Sequence, residues 1–219
     1  MLKKITTVLL SVFFLSSVAI ADTTNIGVKL SYGTLDASGT ETTNLNSTAV
    51  DSGSGDATFP FGSIFIEREI ELSKANIAFG LDYIPFEAEV DKLGGGDGTD
   101  ATVNLKDHFT VYLQPSKKLD NGLSVFGKIG YSQADVKITD VTRQATTAGT
   151  ASTDTGATKS LEGPMIGIGV EKEVAFGAVR VELTHQEYDD ITYTNSNSKV
   201  LTAKGIELQS INLSLVKKF

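Results

Sequence analysis

The chain has 219 residues and a formal net charge of −8, with 21 glycines, four prolines, no cysteine and no tryptophan. Without cysteine there are no disulfide frameworks, thiol nucleophiles or thiolate metal sites, and the acidic balance argues against a nucleic-acid partner. Abundant Gly and Thr with scarce Pro suit strands and loops rather than helices.

The first segment, Met1–Ala21, reads as a secretory signal: Lys3 and Lys4 start it, Ile5–Leu15 is apolar, and Ala19-Ile20-Ala21 offers a cleavage site between small residues. Its apolar stretch is too short to span a bilayer as a helix, and no later stretch approaches ~18 consecutive apolar residues. Removal of the signal leaves about 198 residues (219 − 21) with a charge of about −10, room for one domain.

The remainder divides into eight stretches in which apolar residues alternate with polar ones, the period of a half-buried strand. Strand one, about Thr24–Leu35, sets Ile26, Val28, Leu30 and Tyr32 against Gly27, Lys29, Ser31 and Gly33. A long polar loop, Asp36–Thr58, precedes strand two near Phe59–Glu71, where three phenylalanines compete with Ile64 and Ile66 for one face. A short turn at Leu72–Ala75 leads to strand three, with Ile77, Phe79, Leu81 and Tyr83 alternating with Ala78, Gly80 and Asp82. The loop Asp91–Asp100 follows, then strand four (Ala101–Gln114), which Pro115 is expected to end. In strand four Val103, Leu105, Phe109, Val111 and Leu113 oppose Lys106, His108, Thr110 and Tyr112. The turn Lys117–Gly122 carries the reversal sequence Asp120-Asn121-Gly122. Strand five runs Leu123–Val141, loop three Thr142–Ser160, strand six Leu161–Glu173, a short turn Val174–Gly177, strand seven Ala178–Tyr193, loop four Thr194–Lys199, and the last strand Val200–Phe219.

The gaps therefore alternate long and short, beginning and ending on a long one. That predicts a closed eight-stranded antiparallel up-and-down transmembrane β-barrel, with four long loops at one end and three tight turns plus both termini at the periplasmic end. An even count closes the sheet and leaves no edge strand.

Charge decides which face meets lipid. An Arg or Lys on the lipid face costs ~2–4 kcal/mol near the midplane, so the apolar parity faces outward. Lys29, Asp82, Lys106, His108, Lys128, Glu171, Arg180 and Glu182 are then expected to form a polar network in the lumen. Eight strands enclose room for side chains or one small ligand, which favours a packed plug over a pore lined by Lys29, Lys106, Lys128 and Arg180. Tyr32, Tyr83, Tyr131, Phe59, Phe61, Phe86 and Phe219 are candidates for interfacial aromatic girdles.

Catalytic chemistry has little support. His108 and His185 lie on different strands with no convergent triad or metal set, and no enzyme activity or cofactor is expected. The segment Gly94–Asp100 resembles a single calcium-binding Gly/Asp repeat, but such repeats act in stacked copies. A hairpin loop is the favoured reading, with weak surface calcium binding by Asp91, Asp97 and Asp100 as the remainder.

The signal ending at Ala19 and Ala21, the strand Leu123–Tyr131, and the final strand Ile211, Leu213, Leu215 and Phe219 together resemble small outer-membrane barrels of the OmpA/OmpX/OmpW-like group. The pattern departs from that group at Lys217. The resemblance implies a monomeric Gram-negative outer-membrane protein contacting the lipid bilayer and lipopolysaccharide, with its last strand read by the barrel-assembly machinery. Its implied role is structural, interfacial or adhesive through the loops. Two alternatives stand beside it: an OmpW-like narrow channel for small hydrophobic solutes, and a secreted soluble β-sandwich adhesin.

Overall fold

A computed structural model of the protein describes residues 22–42, 50–73, 75–94, 99–143, 152–154, 158–194 and 200–219. The described chain is all antiparallel sheet: β1 Asp22–Thr42, β2 Val50–Glu71, β3 Asn76–Tyr83, β4 Ala88–Gly94, β5 Thr99–Lys118, β6 Leu123–Arg143, β7 Ser152–Asp154, β8 Thr158–Val174, β9 Gly177–Tyr188, β10 Ile191–Thr194 and β11 Val200–Lys218. Eight staves form a ring, because β4 continues β3 along β5, β10 continues β9 along β11, and β5 pairs with β6 as well as β3. The first and last strands close it, from Asn25↔Lys218 upward. The alternating strands and the ring are as the sequence predicts.

The short connections gather at one end, called the lower end below. At one of them Gly122 takes φ 73° and donates its N–H to the Leu119 carbonyl at 3.0 Å, the left-handed geometry that makes Asn-Gly a reversal signal.

The strands run further than hydrophobic alternation indicates. Asp36–Thr42 pairs with β2 on one side and β11 on the other, so much of the expected first loop is ladder. Backbone pairing needs no apolar side chains, and this stretch of Gly, Ser, Thr and Asp carries none of the signal that marks a half-buried strand. Pro115 does not end β5: it sits opposite Ile77 of β3, while the ladder to β6 skips Gln114 and Pro115 and resumes at Ser116. Only the bonds on one side are lost to the missing N–H.

Above a certain height the ring parts into two sheets. The β2–β3 rungs stop at Ile64↔Tyr83, and β2 and β4 share no rung among the described residues. The β8–β9 rungs stop at Met165↔Gln186, with one further bond from Asp189 N–H to the Glu162 carbonyl at 2.9 Å. Pro60, Pro85 and Pro164 stand at these two seams, where a strand edge needs no ladder donor. One upper sheet is therefore β4, β5, β6 and β8, and the other is β2, β1, β11 and β10. Between them lie Phe59, Phe61, Ile84, Val90, Leu105, Val136, Leu161, Ile206 and Leu208, all buried.

Two bulges adjust side-chain direction in the upper half. Asp107 takes φ 50° at a register shift between Lys106 and Phe109, and Gly205 takes φ 57° opposite a one-residue shift between Asp36 and Ser38. Each inserts one residue and reverses which parity points inward.

Candidate functional site

In the lower half every stave turns one parity outward and the other inward. On β1 Leu30 is 64% exposed while Ser31 beside it is 2% exposed. Ile26, Val28 and Tyr32 on β1, Ile64 and Ile66 on β2, Ile129 and Tyr131 on β6, Ile166 and Ile168 on β8, and Ile211, Leu213 and Leu215 on β11 complete an exposed apolar belt. The inward parity is Asn25, Ser63, Glu67, Asp82, Thr110, Lys128, Arg180, Glu182, Asn212 and Ser214, all buried.

A water-soluble barrel would reverse this, because apolar area is what burial removes from water. Here charges are enclosed and aliphatic residues are displayed, so the surrounding medium of lowest energy is hydrocarbon. The fold is a transmembrane β-barrel.

The enclosed charges are paired. Arg180 spans two carboxylates: Nη1 donates to Glu67 Oε1 at 2.7 Å and Nη2 to Glu67 Oε2 at 3.1 Å, while Nη2 and Nε reach Glu171 Oε2 at 2.7 and 3.1 Å. Its guanidinium lies 5.4 and 5.1 Å from the ring centroids of Phe65 and Phe126, within cation–π reach of both. Glu67 also accepts from the Tyr112 hydroxyl at 2.7 Å, and Lys218 binds the second oxygen of Glu171 at 2.7 Å. Higher in the lumen Lys128 binds Glu182 at 2.8 Å and lies 4.3 Å from the Tyr112 ring, and Lys29 binds Asp82 at 2.6 Å.

This set is neutral: Lys29, Lys128, Arg180 and Lys218 against Glu67, Asp82, Glu171 and Glu182. Neutrality matters because a single uncompensated ion in such a site costs several kcal/mol.

Aromatic rings fill the lumen around it by lying over glycines directly across the strand: Phe65 over Gly27, Tyr112 over Gly80 and Phe126 over Gly169. A Cβ at Gly27 or Gly80 would stand 2.2 Å from a ring carbon. The glycines are there to let the rings close over the backbone.

Beneath Arg180 a polar vestibule of about 190 Å³ opens at the lower end, with Glu69, Glu71, Glu173 and Lys118 in its lining. Above the charges, His108 Nε2 lies 3.0 Å from the Tyr188 hydroxyl and 3.2 Å from Gln186 Oε1. Burial raises the Tyr188 phenol above its ordinary value, so it remains a donor, to Gln186 Oε1 at 2.5 Å.

Of the residues singled out from sequence, Lys29, Asp82, His108, Lys128, Glu171, Arg180 and Glu182 are placed inside. Lys106 is not. The bulge at Asp107 turns Leu105 and His108 both inward and leaves Lys106 on the outer surface, 3.9 Å from Asp107. Phe59 and Phe61 likewise belong to the upper core rather than to a girdle, whereas Tyr32, Tyr83, Tyr131, Phe86 and Phe219 are exposed.

Glu67 and Lys218 were missed from sequence. The three phenylalanines hid the facing of β2, and charge did not settle it, since Glu67 shares their parity while Arg68 shares that of Ile64 and Ile66. Ala19, Ala21 and Asp97 fall outside the described residues. Asp91 and Asp100 lie on β4 and β5 at different rungs, Asp91 opposite Val103 and Asp100 opposite Gly94. Among the described residues no group of three or more His, Asp or Glu is placed to hold a metal.

Several solved structures are similar to this chain at low identity. Neisserial surface protein A is 11% identical with a TM-score of 0.43, covering 87% of this chain and 97% of its own. Ail, the attachment invasion locus protein of Yersinia pestis, solved with a heparin analogue, is 8% identical at 0.36, covering 86% and 99%. The outer membrane protease OmpT from Escherichia coli is 11% identical at 0.45, covering 89% and 97%. These likenesses transfer no activity. No protein-family model matches the sequence, and no curated protein is significantly similar to it.

Proposed function

We propose that the chain is an integral outer-membrane protein whose lumen is sealed and whose two-sheet upper part and long loops form a display platform outside the cell. The observation that carries this reading is the neutral, fully paired charge set around Arg180, which fills the ring where a pore would run. The short turns and both termini then face the periplasm, and Ile211, Leu213, Leu215 and Phe219 form the strand that the assembly machinery reads. The role is structural, interfacial or adhesive.

A narrow channel for small hydrophobic solutes would need a lateral opening. The place for one is the seam between β2 and β4, but the side chains behind it, Phe59, Phe61, Ile84 and Val90, pack together. The soluble sandwich alternative describes the upper half well and the lower half badly, since the belt would lie bare in water.

Membrane fractionation and planar-bilayer recording test the proposal. The protein is expected in the detergent-extracted outer-membrane fraction, migrating faster unheated than heated, and silent in bilayers. Reproducible conductance steps would overturn the plug, and a protein soluble without detergent would overturn the membrane reading.

A further inference from the structure

The last strand departs from the expected pattern at Lys217, and the ring gives this residue counterparts. Four staves run downward, β2, β5, β8 and β11, and each carries one basic residue on its outward parity close to its lower end: Arg68, Lys117, Lys172 and Lys217. Register sets their heights. Across β6, Lys117 is opposite Val125 and Lys172 is opposite Leu123. Across β9, Lys172 is opposite Val179, a rung shared by Leu215, the outward residue above Lys217. Across β1, Lys217 is opposite Ile26 and Arg68 is opposite Thr24. At each of these crossings the next cation stands one same-face step lower, the stagger that strand tilt gives a barrel. The four therefore stand near one level. Lys117 and Lys172 have about 12 Å between their Cα atoms, two strand spacings across and two residues along, a gap that two lysine side chains can close on one head group.

At this level the wall sorts charge by sign. Glu69, Glu71 and Glu173 face inward and line the vestibule, while Lys117, Lys172 and Lys217 are exposed on the outside. Lys117 and Lys217 make no ion pair among the described residues. Lys172 donates to the Asn121 carbonyl at 2.9 Å, which leaves other ammonium protons for a second acceptor. Two carboxylates stand near the collar, Asp120 in the turn after β5 and Asp22 at the start of β1, so its net charge is +2 (4 − 2). The cations are more than the solvated ends of strands. Val170 and Val174 flank Lys172 on the same face, Leu215 and Phe219 flank Lys217, and all four are exposed. The apolar belt thus continues one outward residue below the charge.

We propose that this collar binds anionic phospholipid. Phosphate oxygens accept from Lys117 and Lys172 across the lower end of β6 and from Lys217 beside β1, and the acyl chains lie on the belt above. Position selects a lipid over a soluble anion, because apolar residues border each ammonium above and below. Sign selects an anionic head over a zwitterionic one, whose own ammonium meets a collar of like charge, and each basic residue near an anionic surface adds to the attraction. The inference rests on the lower end facing the periplasm, where the leaflet is phospholipid.

The full chain is placed in nanodiscs of equal phosphatidylglycerol and phosphatidylethanolamine with identical acyl chains, and lipids surviving gentle delipidation are weighed by native mass spectrometry. Phosphatidylglycerol should be retained over phosphatidylethanolamine by about fivefold, the scale of one lysine beside an anionic head group. The Lys117→Gln, Lys172→Gln, Lys217→Gln triple variant, its fold checked by heat-modifiable migration, should return to the mixing ratio. The Lys106→Gln, Lys204→Gln double variant, which removes the same kind of charge from the upper end, should keep the preference. Equal retention by the unaltered protein, a preference that survives in the triple variant or is lost in the double variant, or displacement of phosphatidylglycerol by inorganic phosphate at matched ionic strength would each overturn the collar. Failure of the reading beneath it looks different: a chain that enters no nanodisc contradicts the membrane assignment, and labelling of Ser73→Cys by an impermeant maleimide on intact cells contradicts the orientation.

Discussion

Arg180 concentrates the consequences of enclosing charge. It is 2% exposed and is the bridge between Glu67 and Glu171, so removing it leaves Glu67 buried without its cation and Glu171 with Lys218 alone. Arg180→Ala should lower stability by about 3–5 kcal/mol, as expected when one partner of a buried pair is lost. The double variant Arg180→Met, Glu67→Gln should recover part of that loss, because it removes a charge from each side. Folded fractions read from heat-modifiable migration across a urea series in lipid vesicles measure both. A single variant as stable as the natural protein would mean that the lumen is hydrated and the pairing decorative. The sequence made Arg180 and Glu171 visible, since each shares a parity with polar neighbours between aliphatic ones. It did not reveal that Glu67 was the second partner of Arg180, because a pairing 113 residues apart in the chain depends on how the ring closes.

At the level of a strand, β5 shows where alternation misleads. Read straight through, Leu105 shares a parity with Phe109 and Lys106 with His108. The single residue Asp107, in a left-handed conformation that Asp tolerates better than most, resets the phase. Nothing in the local sequence marks that bulge. The lower halves of the strands were legible because lipid outside and charge inside reinforce one period. The upper halves were not, because there the polarity inverts: core residues such as Leu161 and Leu208 point inward and water lies outside. A run that changes its apolar parity midway looks like the end of a strand. The contrast yields a test of the corrected facing. Lys106→Ala, on the outer surface, should change stability by no more than about 0.5 kcal/mol, whereas Lys128→Ala, which leaves Glu182 buried alone, should cost about 3–5 kcal/mol. Equal losses in the same urea series would return Lys106 to the lumen.

Across the whole molecule, one chain presents two opposite solutions to burial on the same staves. Below the seams the ring is inside-polar and outside-apolar, and above them two sheets enclose an apolar core like a water-soluble sandwich. The height at which polarity inverts is therefore the height of the membrane surface, and the exposed Tyr32, Tyr83 and Tyr131 lie near it, where amphipathic rings settle. β11 runs through both regions and the chain has no native cysteine, so single nitroxide labels can be placed along it without interference. The decisive measurement is a cysteine scan from Ile206 to Leu215 in reconstituted bilayers, with accessibility to oxygen and to a water-soluble nickel relaxant. Oxygen should reach labels at 211, 213 and 215 and not at 212 and 214, while nickel should reach 207 and not 206 or 208. Uniform accessibility along the strand, or oxygen peaks at 212 and 214, would contradict the account.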